Sequence, residues 1–148
     1  MTLTERDREI DTLARTIWAE ARGDGLVGME ASAAVIANRV RRARTWIGRR
    51  AKPHPLFGDG TFADACTRPR QFSCWNADDP NLPKLRAVTR DDPIFAQAIE
   101  IAERAVGGEL ADPTGGATHY HTISIQPEWA KGREPCKRIG HHVFYNNV

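Results

Sequence analysis

The sequence has 148 residues, of which 41% are hydrophobic and 27% charged, a balance that excludes a wholly disordered chain. Its net charge of +2 gives no ground for nucleic acid as a partner, and no run approaches the roughly 18 apolar residues of a membrane span, so stable membrane insertion is not expected. A chain of this length buries roughly 68–70% of its unfolded surface, which suits one domain over residues 1–148.

The chain opens with alternating charges, Thr4 to Glu9, and no apolar h-region, which predicts no cleavable secretory signal. A first helix is predicted from Glu5 to Ala21, with Thr4 as cap and Asp7 as its capping-box partner. Ile10, Leu13, Ala14, Ile17 and Ala21 form its apolar stripe, and Arg22-Gly23-Asp24-Gly25 ends it. A second helix runs from Gly28 to Arg42, with a small apolar centre, residues 31–37, suited to close packing. Residues 39–52 then carry Arg39, Arg41, Arg42, Arg44, Arg49, Arg50 and Lys52 without an acid. Such a run is either a solvated helix end or a face for a polyanion.

Residues 48–90 hold most of the prolines and read as loops with short helical turns. A third helix starts at Asp92 as cap with Pro93 in its first turn, and stops at Gly107-Gly108. Phe95, Ala98, Ile99, Ala102 and Val106 form its inner face. In the tail, residues 117–122 alternate as a strand, residues 139–145 form its partner, and 123–138 form a long loop. The fold class is therefore α+β, helix-dominated with a small antiparallel sheet near the C-terminus. Cys66, Cys74 and Cys136 are odd in number, so at least one stays unpaired.

Three groups could carry chemistry. Glu20 lies about 20° from Leu13 on the helical wheel, in the last turn of its helix. Partial burial and the negative helix end both raise a carboxyl pKa, toward the protonated form a general acid needs. The alternative is a surface carboxylate paired with Arg15 or Arg22. Gln71, Phe72 and Ser73, with Cys74 and Trp75, combine amide, aromatic and hydroxyl groups that suit a sugar-binding groove, or a loop whose rings plug the core. His119 and His121 share one face of the tail strand, with Tyr120 on the other. With His141 or His142 they could hold zinc, although no HExxH accompanies them. No metal and no cofactor is expected.

Four segments and a closing one, residues 13–24, 28–40, 71–75, 112–121 and 139–145, together resemble the cell-wall hydrolase family of the spore cortex-lytic enzymes (SleB type). The Ala19-Glu-Ala-Arg-Gly23 and Gly115-Gly-Ala-Thr-His-Tyr120 stretches are the specific parts. The resemblance implies a lysozyme-like fold related to goose-type lysozyme, and cleavage of peptidoglycan glycan strands between N-acetylmuramic acid and N-acetylglucosamine. It places the catalytic acid on Glu20, and substrate contacts on Gln71, Phe72, Ser73, His119, Tyr120 and His121. A lytic transglycosylase is favoured over simple muramidase-type hydrolysis, in part because no second carboxylate stands out beyond Asp24 and Glu30. Arg22 and Asn38 would orient Glu20 or the loops. Spore members carry a signal and a wall-binding domain, so the expected context is a monomeric lysin of phage type, cytoplasmic until released and acting on the wall. Two rival classes are a metal-dependent peptidoglycan amidase built on the histidines, and a non-catalytic polyanion-binding module using Arg39 to Lys52.

Overall fold

The computed structural model describes residues 1–148. Its first helix, α1 (Leu3–Ala21), starts at Thr2, whose hydroxyl accepts from Glu5 N at 3.1 Å while the Glu5 carboxylate accepts from Thr2 N. The capping box therefore lies two residues ahead of the Thr4–Asp7 expectation, because Glu has the reach to close it three residues back. Leu13, Ala14, Ile17 and Ala21 are buried as the stripe predicts. A single 3-10 turn, residues 22–24, and Gly25 at φ +71° redirect the chain.

Helix α2 (Gly25–Arg50) outruns its predicted span at both ends. Ala43, Trp46 and Ile47 continue its inner face past Arg42, so the packing carries the helix through the run of arginines. Its small residues admit close neighbours, and Ala31, Ala33 and Val35 are fully buried. Residues 51–92 form loops around two short helices, α3 (Phe62–Thr67) and α4 (Asn81–Ala87). Buried Glu9 of α1 holds the start of α3, accepting from Phe62 N at 2.9 Å and Ala63 N at 2.6 Å. Helix α5 (Pro93–Val106) begins as expected, with Asp92 accepting from Ile94 N and Phe95 N. It packs against α1 and α2 and closes the main core with Phe95, Ala98, Ile101 and Ala102.

The tail forms a three-stranded antiparallel sheet in the order β1-β3-β2, where β1 is His119–Thr122, β2 Lys137–Ile139 and β3 His142–Tyr145. The strand expected over 139–145 is thus split. Gly140, at φ +57°, and His141 make a two-residue hairpin turn between β2 and β3. Tyr120 pairs with Phe144 and Thr122 with His142, so these side chains share a face. That face meets α2 through Phe144, Ala117, Ala31 and Val35. All three cysteines are free thiols, and Cys66 and Cys74 are buried in the main core.

Candidate active site

Glu20 is half-buried at the end of α1. Burial pushes its carboxyl up to about 7, and the negative charge of Asp79 adds to the rise. The Arg39 charge and a hydrogen bond from Tyr120 act against it. Neither Arg15 nor Arg22 pairs with Glu20. Arg15 binds Asp11 at 3.1 Å. Arg22 donates to Trp18 O at 3.0 Å and Ala19 O at 3.1 Å, capping the helix that carries Glu20. It also reaches Asn81 Oδ1 at 3.0 Å, and Asn81 N donates to Asp79 Oδ1 at 2.8 Å. The loop bearing Asp79 is thereby tied to the end of α1. Asp79 is a site residue that sequence reasoning missed, for no local pattern marks a loop carboxylate that reaches Glu20 only in the fold.

Arg39 joins the other walls of the site. It is 6% exposed, donates to Thr118 O at 2.6 Å and to Gln71 Oε1 at 3.2 Å, and stacks on the rings of Phe57 and Phe72. Of the 71–73 segment, Gln71 is half-buried, Phe72 buried and Ser73 exposed. Phe72 is therefore chiefly a core residue that supports the arginine. Tyr120 enters from β1, its hydroxyl 3.3 Å from Ser32 Oγ and turned to Glu20. Asn38 braces the approach to β1 by donating to Asp112 and to Ala117 O.

The structure turns the two strand histidines to the sheet face opposite Tyr120. There His119 and His121 lie among Phe57, Trp129 and Tyr145. Both ring nitrogens of His121 are engaged, with Thr122 O at 2.7 Å and Tyr145 Oη at 3.0 Å. Burial and the charges of Arg39, Arg42 and Arg133 push His119 down to about 4. His141 and His142 sit elsewhere, both bound to Asp24. The four histidines thus form two separate groups and do not converge on one ligand set, because alternation sends neighbouring strand residues to opposite faces.

A family model described as Cell Wall Hydrolase matches residues 23–145. The chain belongs to the cell wall hydrolase family. A spore cortex-lytic enzyme of Halalkalibacterium halodurans is 32% identical over 143 residues, 95% of this chain and 35% of that protein. Another from Bacillus subtilis is 29% identical over 141 residues, 93% of this chain and 37% of that one. This cell wall hydrolase therefore spans about a third of the length of these curated relatives. Among solved structures, the catalytic domain of Bacillus cereus SleB superposes with a TM-score of 0.66 at 26% identity, covering 94% of this chain and 90% of that one. The catalytic domain of the germination-specific lytic transglycosylase SleB from Bacillus anthracis gives 0.65 at 26% identity, covering 93% of each. The helix-rich fold with its small sheet is thus the SleB catalytic-domain fold. In this cell wall hydrolase Glu20 lies three residues ahead of the span matched by the family model.

Proposed function

We propose that the chain cleaves peptidoglycan glycan strands between N-acetylmuramic acid and N-acetylglucosamine, with Glu20 as general acid and then base. The observation that carries this reading is a carboxyl held near neutrality, with Tyr120 beside it and Arg39 and Asp79 in its field. Such a group is still protonated in part at neutral pH and can change roles within one cycle. Glu20 donates its proton to the glycosidic oxygen as the bond to the anomeric carbon breaks. The C6 hydroxyl of the same muramic acid then attacks that carbon, and the Glu20 carboxylate takes the hydroxyl proton. The product is a 1,6-anhydromuramyl end, and no water is consumed.

The carboxylates considered as nucleophiles support this route. Asp24 is occupied by His141 and His142. Glu30 lies 3.9 Å from Arg104. Gln71 and Ser73 would bond sugar hydroxyls, while His119 and His121 lie on the sheet face opposite Tyr120. Asp79 favours a second reading, in which it activates a water for inverting hydrolysis.

Mass spectrometry of digested peptidoglycan separates the two. The expected muropeptides from the wild type are lighter by one water than reducing-end products, and Glu20→Gln yields none. Reducing-end sugars would establish hydrolysis, and their loss in Asp79→Asn would assign the base to Asp79. Released peptides with intact glycan, or full activity in Glu20→Gln, would overturn the glycosidase reading.

A further inference from the structure

Asp24 is a buried carboxylate that the proposed bond cleavage does not use. Its side chain is 5% exposed, and it accepts from His141 Nδ1 at 2.6 Å, His142 Nδ1 at 2.8 Å and His141 N at 3.3 Å. Burial alone would raise its pKa, but these hydrogen bonds outweigh burial and hold it below the ordinary value. An ionised carboxylate only accepts, so each Nδ1 carries its proton and each ring is fixed in orientation. The approach depends on Gly140, where a Cβ would stand 2.7 Å from Asp24 Cγ. Asp24 thus clamps the β2–β3 turn onto the 3-10 turn that follows Glu20.

The clamp continues to the acid. His142 and Tyr120 share a sheet face, as diagonal neighbours on paired strands. The His142 ring meets the Tyr120 ring edge-on, centroids 5.1 Å apart at 85°. Tyr120 also packs on Phe144, its hydroxyl is 3.3 Å from Ser32 Oγ, and it stands near enough to Glu20 to favour the carboxylate. We propose that Asp24 and His142 are positioning residues: Asp24 orients the His142 ring, and the ring fixes Tyr120 beside Glu20. This inference rests on Glu20 being the acid. A clamp with only a structural role would stabilise the hairpin and leave the chemistry unmoved.

The two roles differ in pH dependence. Facing Glu20 are Asp79 from the loop before α4, Arg39 from α2 and Tyr120 from β1. The thiols of Cys66 and Cys74 also sense its charge, and burial raises both, Cys66 to about 12, so neither titrates near neutrality. Tyr120 favours the carboxylate form of Glu20. Releasing Tyr120 therefore raises the Glu20 pKa and moves the alkaline limb of the activity profile to higher pH.

The test compares the wild type, Glu20→Gln, His142→Asn and His142→Phe on purified peptidoglycan from acid to alkaline pH. Asn keeps a donor near the Nδ1 position and so keeps Asp24 satisfied, but it removes the ring. The expected result is a kcat lowered about tenfold or more with KM little changed, and an alkaline limb displaced upward. Phe keeps the ring edge and loses the bond, so it should recover part of both effects. If the Asn variant unfolds, the Phe variant alone decides, and a wild-type kcat and profile there would overturn the proposal. A lowered melting temperature with a wild-type kcat and alkaline limb would also overturn it, with Glu20→Gln inactive in the same assay. Activity retained in Glu20→Gln would instead overturn the reading of the acid, and the positioning role with it.

Discussion

Glu20 stands in an environment that favours its neutral form, and this has a stability consequence as well as a chemical one. Its pKa rises from 4.5 to about 7 on folding. Between those values the folded chain binds the proton that the unfolded chain has lost, so stability falls as pH rises through that window. The whole shift corresponds to at most about 3 kcal/mol. Glu20→Gln cannot ionise, so it should be more stable than the wild type by about 1–3 kcal/mol above pH 7, with the advantage gone below about pH 4.5. Urea unfolding on either side of the window measures this; an advantage that does not change with pH would refute the raised pKa. Asp79 provides a second check. Its charge raises the Glu20 pKa, so Asp79→Asn should move the alkaline limb of activity to lower pH, by roughly half to one pH unit. The partial burial of Glu20 was legible from the helical wheel, since a place on the flank of an apolar stripe is a local property, whereas its role as the acid is implied by the family resemblance alone. Asp79 was not legible, because its effect depends on Arg22 and Asn81 drawing a distant loop to the end of α1.

Elements were legible to the extent that their signals were local. Asp92 and Pro93 fix the start of α5 without help from the rest of the fold, and its inner face follows the helical period. Helix α2 was read too short because Arg41 to Arg50 mask an inner face that only tertiary contact reveals, with Gly60 packed against Arg44 and Ile47. Strand β2 was missed because Lys137 and Arg138 are exposed and only Ile139 turns inward, too short a pattern to show alternation. The six residues of α3 form no stable helix alone. They depend on Glu9, whose carboxylate takes the Phe62 and Ala63 N–H groups. Glu9 is about 40° from Leu13 on the wheel, so the reasoning that singled out Glu20 applies to it equally. Glu9→Ala would orphan two buried donors and should cost about 2–4 kcal/mol in urea unfolding, because bonds to a charged acceptor are among the stronger ones. The alkaline limb of activity should stay in place, which separates this structural carboxylate from Glu20.

At the scale of the molecule, the site exists because α1, α2, the 71–79 loop and the sheet converge. The pleat put Tyr120 opposite His119 and His121, which a strand pattern can tell. Which face meets Glu20 is decided by the small residues of α2 that admit Phe144, and these are about a hundred positions distant in sequence. The same convergence divides the basic run. Arg39 is folded into the site, whereas Arg41, Arg42, Arg44, Arg49, Arg50 and Lys52 are exposed and take part in no ion pair. No acid occurs between Glu30 and Asp59, so this end of α2 presents a positive field on the same helix as Arg39. Under the proposed function, such a field acts on the approach of the carboxylates in peptidoglycan stem peptides and leaves the reacting bond alone. Raising salt across the physiological range should therefore raise KM for insoluble peptidoglycan several-fold and leave kcat unchanged, as screening shortens the field to about 8 Å and below. Arg41→Glu with Arg49→Glu should raise KM at low salt and flatten its salt dependence. A KM indifferent to salt in the wild type would assign binding to the groove alone, and a fall in kcat with salt would place the charges in the chemical step.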